Sequence, residues 1–153
     1  FTAIEILHLS WVGKRSVPET LAALREAGLG SLTGGGAEIF DPEVRKIICH
    51  AKESAAEWLD IHRMWHKMGG RSTCTMLIGH VEKEHHRIDH LRRLRERQDE
   101  TKGFTAFVTL AFHPENTKLP DLPGPSGYDL LKTCSVPGRA KCFTSVGSQY
   151  ARR

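Results

Sequence analysis

The stretch Ser31-Leu32-Thr33-Gly34-Gly35-Gly36-Ala37-Glu38-Ile39-Phe40-Asp41-Pro42 passes from a short apolar strand signal, through three glycines and an acid, into a helix start. Glycine lets the backbone take positive φ and come close to a ligand, and a following acid places a carboxylate at the rim. Asp followed by Pro is the signature of a helix N-terminus. A strand-to-helix loop of this kind is a candidate ligand loop and equally the form of a tight turn, since it lacks the spacing of the P-loop and dinucleotide fingerprints.

The same alternation recurs outward from it. Toward the N-terminus, Phe1 to Leu7 is apolar and β-prone and reads as a strand. Ser16-Val17-Pro18-Glu19 then forms a capping box, and Leu21, Leu24 and Ala27 keep helical spacing up to Gly28. Toward the C-terminus, a helix runs from Asp41-Pro42 through Val44, Ile47 and Ile48. Ser54 caps another, with Trp58, Ile61 and Trp65 on its apolar face and Gly69-Gly70 at its end. Residues 72–78 read as a buried strand, 82–100 as a long charged helix and 103–112 as the strongest strand in the chain.

Strand starts near positions 1, 31, 71 and 104, each followed by helix, predict repeated βαβ units and a parallel sheet. The expected class is α/β: a partial (β/α) TIM-type barrel of about four units over residues 1–133, a full barrel taking about 250 residues. Half a barrel leaves sheet edges open. The opening on Phe1, inside an expected strand, reads as an internal piece of a longer protein. From Leu119 onward prolines and glycines make a loop, a short helix is expected from Ser126 through Leu131, and residues 134–153, with no period of either kind, are expected to form an irregular tail.

The 153 residues are 39% hydrophobic and 26% charged, as in globular domains. The apolar runs are too short for a membrane span and the first residues lack signal-peptide form, so a cytoplasmic protein is expected. Net charge is +4, but the densest basic stretch, Arg92 to Arg97, is interleaved with acids and reads as a solvated helix face rather than a nucleic-acid surface. The four cysteines, Cys49, Cys74, Cys134 and Cys142, lack the short spacings of a zinc ribbon or iron–sulfur site and are expected to be buried or free thiols.

In such barrels the loops after the strands build the active face. Glu5 and His8, Gly34 to Glu38, Gly79 to Glu82 and His113 to Asn116 fall there. His80 and His113 directly follow strands and are candidates to bind an anionic group, to act as acid or base, or simply to pin a loop. Glu38 and Glu82 are candidates for ligand contact or for capping the next helix. His62 with His66, and His86 with His90, have the four-residue spacing of helical metal pairs, but they lie among charges and without a zincin glutamate, so packing or surface roles and no metal site are expected.

Seven segments, in order, carry a family resemblance: Phe1-Thr2-Ala3-Ile4-Glu5-Ile6, Ala27-Gly28-Leu29, Gly34 to Phe40, Glu57-Trp58-Leu59-Asp60-Ile61-His62-Arg63, Thr75 to Glu82, Gln98-Asp99-Glu100-Thr101 and Leu110 to Thr117. Together they resemble the radical S-adenosylmethionine enzymes of the futalosine route to menaquinone, the aminofutalosine synthases in particular. The resemblance implies a 4Fe-4S cluster that cleaves S-adenosylmethionine to an adenosyl radical. That radical adds to the enol ether of 3-(1-carboxyvinyloxy)benzoate, a small-molecule substrate, and gives aminodeoxyfutalosine.

Thr75-x-Leu77-x-Gly79-x-x-Glu82 is similar to the family's G-x-I-x-G-x-x-E element of the adenosine pocket, with Thr75 in place of the first glycine. The resemblance assigns cofactor contact to Gly35, Gly36, Glu38, Thr75, Leu77, Gly79 and Glu82, with Glu38 on the ribose. It assigns substrate contact to Glu5, His80, His113 and Asn116. The cluster motif C-x3-C-x2-C does not occur in the chain, so the cluster ligands of a complete enzyme lie elsewhere. Thr33 and Thr109 replace expected prolines, Cys74 an alanine and Ile78 a tyrosine. After Thr133 the text departs from the family as a shifted reading frame would. The alternatives are an enzyme like the cyclic dehypoxanthinyl futalosine synthases, or a noncatalytic half-barrel acting as a binding module.

Overall fold

The computed structural model describes residues 1–119, 121–139 and 145–148, with the backbone alone for 137–139 and 145–148. It contains helices α1 (Ala3–Val12) and α2 (Val17–Glu26), strand β1 (Ser31–Leu32), helices α3 (Pro42–Ile48) and α4 (Ala55–Lys67), strand β2 (Arg71–Ile78), helix α5 (Glu84–Thr101), strand β3 (Phe104–Ala111), helix α6 (Gly127–Arg139) and strand β4 (Ser145–Ser148). The four strands form an open parallel sheet in the order β1-β2-β3-β4. When strands are added in sequence order by right-handed crossovers, the connecting helices accumulate on one face, as in barrels and unlike doubly wound sheets.

One expected strand is a helix. Phe1 to Leu7 begins α1, because Thr2 caps it and Glu5 returns its carboxylate to the Thr2 amide at 2.7 Å and to the Thr2 hydroxyl at 2.8 Å. Ala3, Ile6 and Ser10 are buried, at helical and not alternating spacing. The same box recurs at Ser16 with Glu19 and at Ser54 with Glu57, where helices were expected. The fourth strand lies instead at Ser145–Ser148, and α6 continues past Leu131 to Arg139, so regular structure enters the stretch expected to be irregular.

Side chains of β2 alternate. Ser72, Cys74, Met76 and Ile78 are buried, while Thr73 and Leu77 on the opposite face are partly open and Thr75 is covered. The core lies on the first face, where Trp58, Ile61 and Trp65 of α4 join Leu94 of α5, Phe104 and Phe107. A bulge after Ser72 shifts the register so that Cys74 stands beside Phe107 and Met76 beside Thr109.

Three of the paired histidines, His62, His66 and His90, serve this packing, while His86 is partly exposed at the start of α5. His62 Nδ1 and His66 Nε2 both meet the Ser72 hydroxyl, at 2.8 and 2.7 Å, and His66 Nδ1 meets Thr101 at 2.8 Å. His90 stacks on Phe40 at 3.9 Å and donates from Nε2 to the Thr75 carbonyl. Burial pushes the His66 pKa down to about 4 and that of His90 to about 3, so both are neutral at physiological pH.

Candidate functional site

The C-terminal ends of β1, β2 and β3 lie side by side, and backbone bonds tie together the loops that leave them. The Leu77 amide donates to the Glu38 carbonyl at 2.9 Å, and the Phe112 amide to that of Ile78 at 2.9 Å. Residues 34–38, 79–82 and 113–116 are thereby brought to one edge of the sheet. Glu5 joins them from another element. It caps α1, whose start is held there by the Thr33 amide donating to the Phe1 carbonyl at 2.9 Å.

The three glycines are fixed by side chains from three different elements. Thr75 donates its hydroxyl to the Gly34 carbonyl at 2.6 Å, while Thr73 accepts from the Gly34 amide at 3.0 Å, both from β2. Trp58 of α4 donates its indole N–H to the Gly35 carbonyl at 3.2 Å. Arg45 of α3 donates to the Gly36 carbonyl. Gly34 lies so close to β2 that a Cβ would stand 2.5 Å from the Cys74 Cα, and Gly36 has φ +89°. Close packing and torsion demand glycine at these two positions.

The loop ends in Glu38, a non-glycine residue at φ 41°. Its carboxylate receives the Lys52 ammonium at 2.9 Å, with Glu38 16% and Lys52 43% exposed. Desolvation works against the Lys52 charge, but the hydrogen bond and field of Glu38 outweigh it, and the net pKa shift is upward. A carboxylate accepts at up to about four sites, so this pair retains capacity for a hydroxyl or amino donor.

The second loop is organised differently. Glu82 accepts from the amides of Gly79 at 2.8 Å and His80 at 2.9 Å, and from Arg87 Nε at 2.8 Å, with its side chain fully buried. His80 donates from Nε2 to the Leu77 carbonyl at 3.1 Å and receives the Glu82 amide on Nδ1. Burial lowers its pKa against the pull of Glu82. Gly79 has φ +91°, and a Cβ there would stand 2.2 Å from Pro125, so the loop before α6 packs onto it. Leu77 is partly open on the face opposite the core. At the third strand end His113 is exposed, 3.8 Å from Glu115, and Asn116 lies at φ 62° in an exposed turn.

Lys52, Arg45 and Thr73 went unrecognised in the sequence. A threonine two residues before Thr75, on the same strand face, was the available signal for Thr73; no periodic pattern marks Lys52.

The profile of the Radical SAM superfamily matches residues 2–94. The chain belongs to the radical SAM superfamily. It is 50% identical to the aminodeoxyfutalosine synthase of Thermus thermophilus over 119 residues, which are 78% of this chain and 32% of that protein. It is 47% identical over 121 residues to the aminodeoxyfutalosine synthase of Streptomyces coelicolor, covering 79% and 31%. It is also 39% identical over 140 residues to the 5-amino-6-(D-ribitylamino)uracil–L-tyrosine 4-hydroxyphenyl transferase of Methanothermobacter thermautotrophicus, covering 89% and 38%. The chain thus spans about a third of the length of the curated relatives it matches.

The superfamily implies a 4Fe-4S cluster and S-adenosylmethionine in a full enzyme. The described residues do not fit the cluster. Among the described residues no three His, Cys, Asp or Glu side chains converge as metal ligands. Cys74 is buried in the sheet core and Cys134 lies against Thr109. The strand-end face offers S-adenosylmethionine a carboxylate–ammonium pair and a loop of fixed backbone. No helix among the described residues is long and apolar enough to cross a membrane.

Proposed function

We propose that the C-terminal edge of the sheet is the adenosine side of an S-adenosylmethionine site, with Glu38 accepting from the ribose hydroxyls. The observation that carries this is the held Glu38–Lys52 pair, whose carboxylate stays at the rim while the loop's glycine carbonyls are engaged by the protein. S-adenosylmethionine supplies a 5′-deoxyadenosyl radical when cleaved at a cluster. The residues of this chain bind and orient its nucleoside. In the complete protein, of which this chain supplies part of the barrel, the reaction is addition to the enol ether of 3-(1-carboxyvinyloxy)benzoate. Identities of 47–50% to aminodeoxyfutalosine synthases, against 39–44% to the 4-hydroxyphenyl transferases, support that choice of substrate.

On the second loop, Glu82 and Gly79 position backbone rather than ligand: the Glu82 carboxylate is filled by two amides and Arg87, and Pro125 covers Gly79. Gly35, Gly36, Thr75 and Leu77 shape the wall of the site, and His80, His113, Asn116 and Glu5 border it on the substrate side. Titration of the purified chain with S-adenosylmethionine, followed by amide NMR shifts, tests this. Shifts confined to residues 34–38 and 77–80 are expected, and their loss in Glu38→Ala. Shifts elsewhere, or equal affinity in Glu38→Ala, refute the ribose role. A parallel titration with the benzoate enol ether and with L-tyrosine separates the two substrate classes.

A further inference from the structure

Arg45 places a full positive charge in the interior, at 7% exposure. A buried ion is costly unless it is paired and hydrogen-bonded. Its hydrogen bonds go to backbone: Nη1 donates to the carbonyls of Gly36 at 3.2 Å, Ala37 at 2.8 Å and Ile39 at 3.2 Å. Nη2 donates to Gly36 at 3.2 Å and to the Glu53 carbonyl. The nearby acid, Glu53, is 4% exposed and contributes field, but its carboxylate oxygens have no hydrogen-bond partner beyond their own residue. That carboxylate lies against Gly36 and occupies the space a Cβ there would need.

Three adjacent glycines make the most pliable backbone in the chain, so an ordered ligand loop needs an external constraint. A guanidinium is a planar, rigid fork, and carbonyls bound to it are fixed in direction. The carbonyls it holds, Ala37 on one side and Ile39 on the other, bracket Glu38, the residue held at φ 41°. Ordinary side chains rarely take that torsion unless their surroundings impose it.

We propose that Arg45 is the positioning residue of this loop: through the Ala37 carbonyl it fixes the peptide plane entering Glu38, and through the Ile39 carbonyl the plane that follows Ile39, so that the carboxylate meets the ligand in one pose. The proposal rests on the assignment of this face to S-adenosylmethionine. Arg45 itself touches no ligand; it acts through Glu38.

The test uses the whole chain as wild type, Arg45→Lys and Arg45→Met. In wild type the Arg45 guanidinium protons should appear as slowly exchanging NMR resonances, and Glu38 should show the intense intraresidue amide-to-Hα NOE of positive φ. Arg45→Lys keeps the charge and loses the fork. It should lose that NOE and exchange the Ala37 and Leu77 amides on the order of tenfold faster, with β3 amides unchanged. S-adenosylmethionine affinity should fall with it on the order of tenfold, and more in Arg45→Met. An unchanged NOE and unchanged exchange in a folded variant overturn the proposal. So does rapid exchange of the guanidinium protons in wild type, which needs no variant to fold. A loosened loop with unchanged affinity overturns the positioning role, while the site assignment is decided by Glu38→Ala. Absence of binding in wild type refutes the assignment of the face, and the role of Arg45 toward a ligand with it.

Discussion

The loops after β1 and β2 both carry a glycine and a glutamate past a strand end, and the two glutamates have opposite fates. Glu38 leaves a loop whose carbonyls are held by Thr75, Trp58 and Arg45, so its own carboxylate stays at the rim with Lys52. Glu82 organises its loop itself, taking the amides of Gly79 and His80 and the Arg87 guanidinium. A carboxylate that builds its own loop is spent on structure. One whose loop is built by others remains available for a ligand.

The largest effect expected of a substitution lies in the first loop. Gly34→Ala would drive a methyl into the β2 backbone at Cys74, which cannot yield, and should cost roughly 3–5 kcal/mol in a urea-denaturation measurement. Next comes Glu82→Ala, which strips two amides and Arg87 of their acceptor at once. A loss of about 3 kcal/mol is expected, with S-adenosylmethionine affinity falling only as far as the loop loosens. If Glu82→Ala were nearly neutral for stability, the contrast between the loops would collapse.

Acidity should separate the loops further. Burial lowers the His80 pKa below its ordinary 6.5, so the unfolded chain binds the proton more readily and the second loop loses stability as pH falls below 6.5. Burial raises the Glu53 carboxyl above its ordinary 4.5, so its contribution is complete below 4.5 and is lost as pH rises through the folded value. Amide exchange in residues 79–82 should therefore accelerate on acidification and that at Gly36 and Ala37 on alkalinisation. Superimposed on both, His62, His66 and His90 follow the sign of His80, and the thermal midpoint should drop by roughly 5 °C or more between pH 7 and pH 5. A midpoint that rises on acidification would contradict their neutral, buried state.

The smallest stability change belongs to Glu38→Ala. Removing this partly exposed ion pair should cost below about 1 kcal/mol. Its effect should appear in ligand affinity instead, the reverse of Glu82→Ala. Melting curves and titrations on the two variants measure that reversal directly.

Much of the fold was legible in residue spacing. The capping box at Ser16, the cap at Ser54, the Asp41-Pro42 start and the apolar runs of β2 and β3 all correspond to observed elements. Phe1 to Leu7 reads as a strand because its residues are apolar and β-prone; in the structure the box of Thr2 with Glu5 and the burial of Ala3, Ile6 and Ser10 make it a helix. β4 carries no periodic signal in four residues; its pairing with β3 makes it a strand. In the site, the triple glycine and Glu38 stood out by composition. Lys52 and Arg45 did not, since each resembles any surface cation until the chain folds and brings it against Glu38 or the Gly36 carbonyl.

Local order along the chain therefore came from sequence alone: glycine, proline and capping residues act through torsions and hydrogen bonds a few residues long, and a family's motifs preserve that order. Which carboxylate stays at the rim, which cation is buried and which threonine holds a glycine were decided by tertiary structure. Those outcomes depend on contacts between residues such as Gly34 and Thr75, 41 positions apart, and only the packed sheet brings such partners within hydrogen-bonding distance.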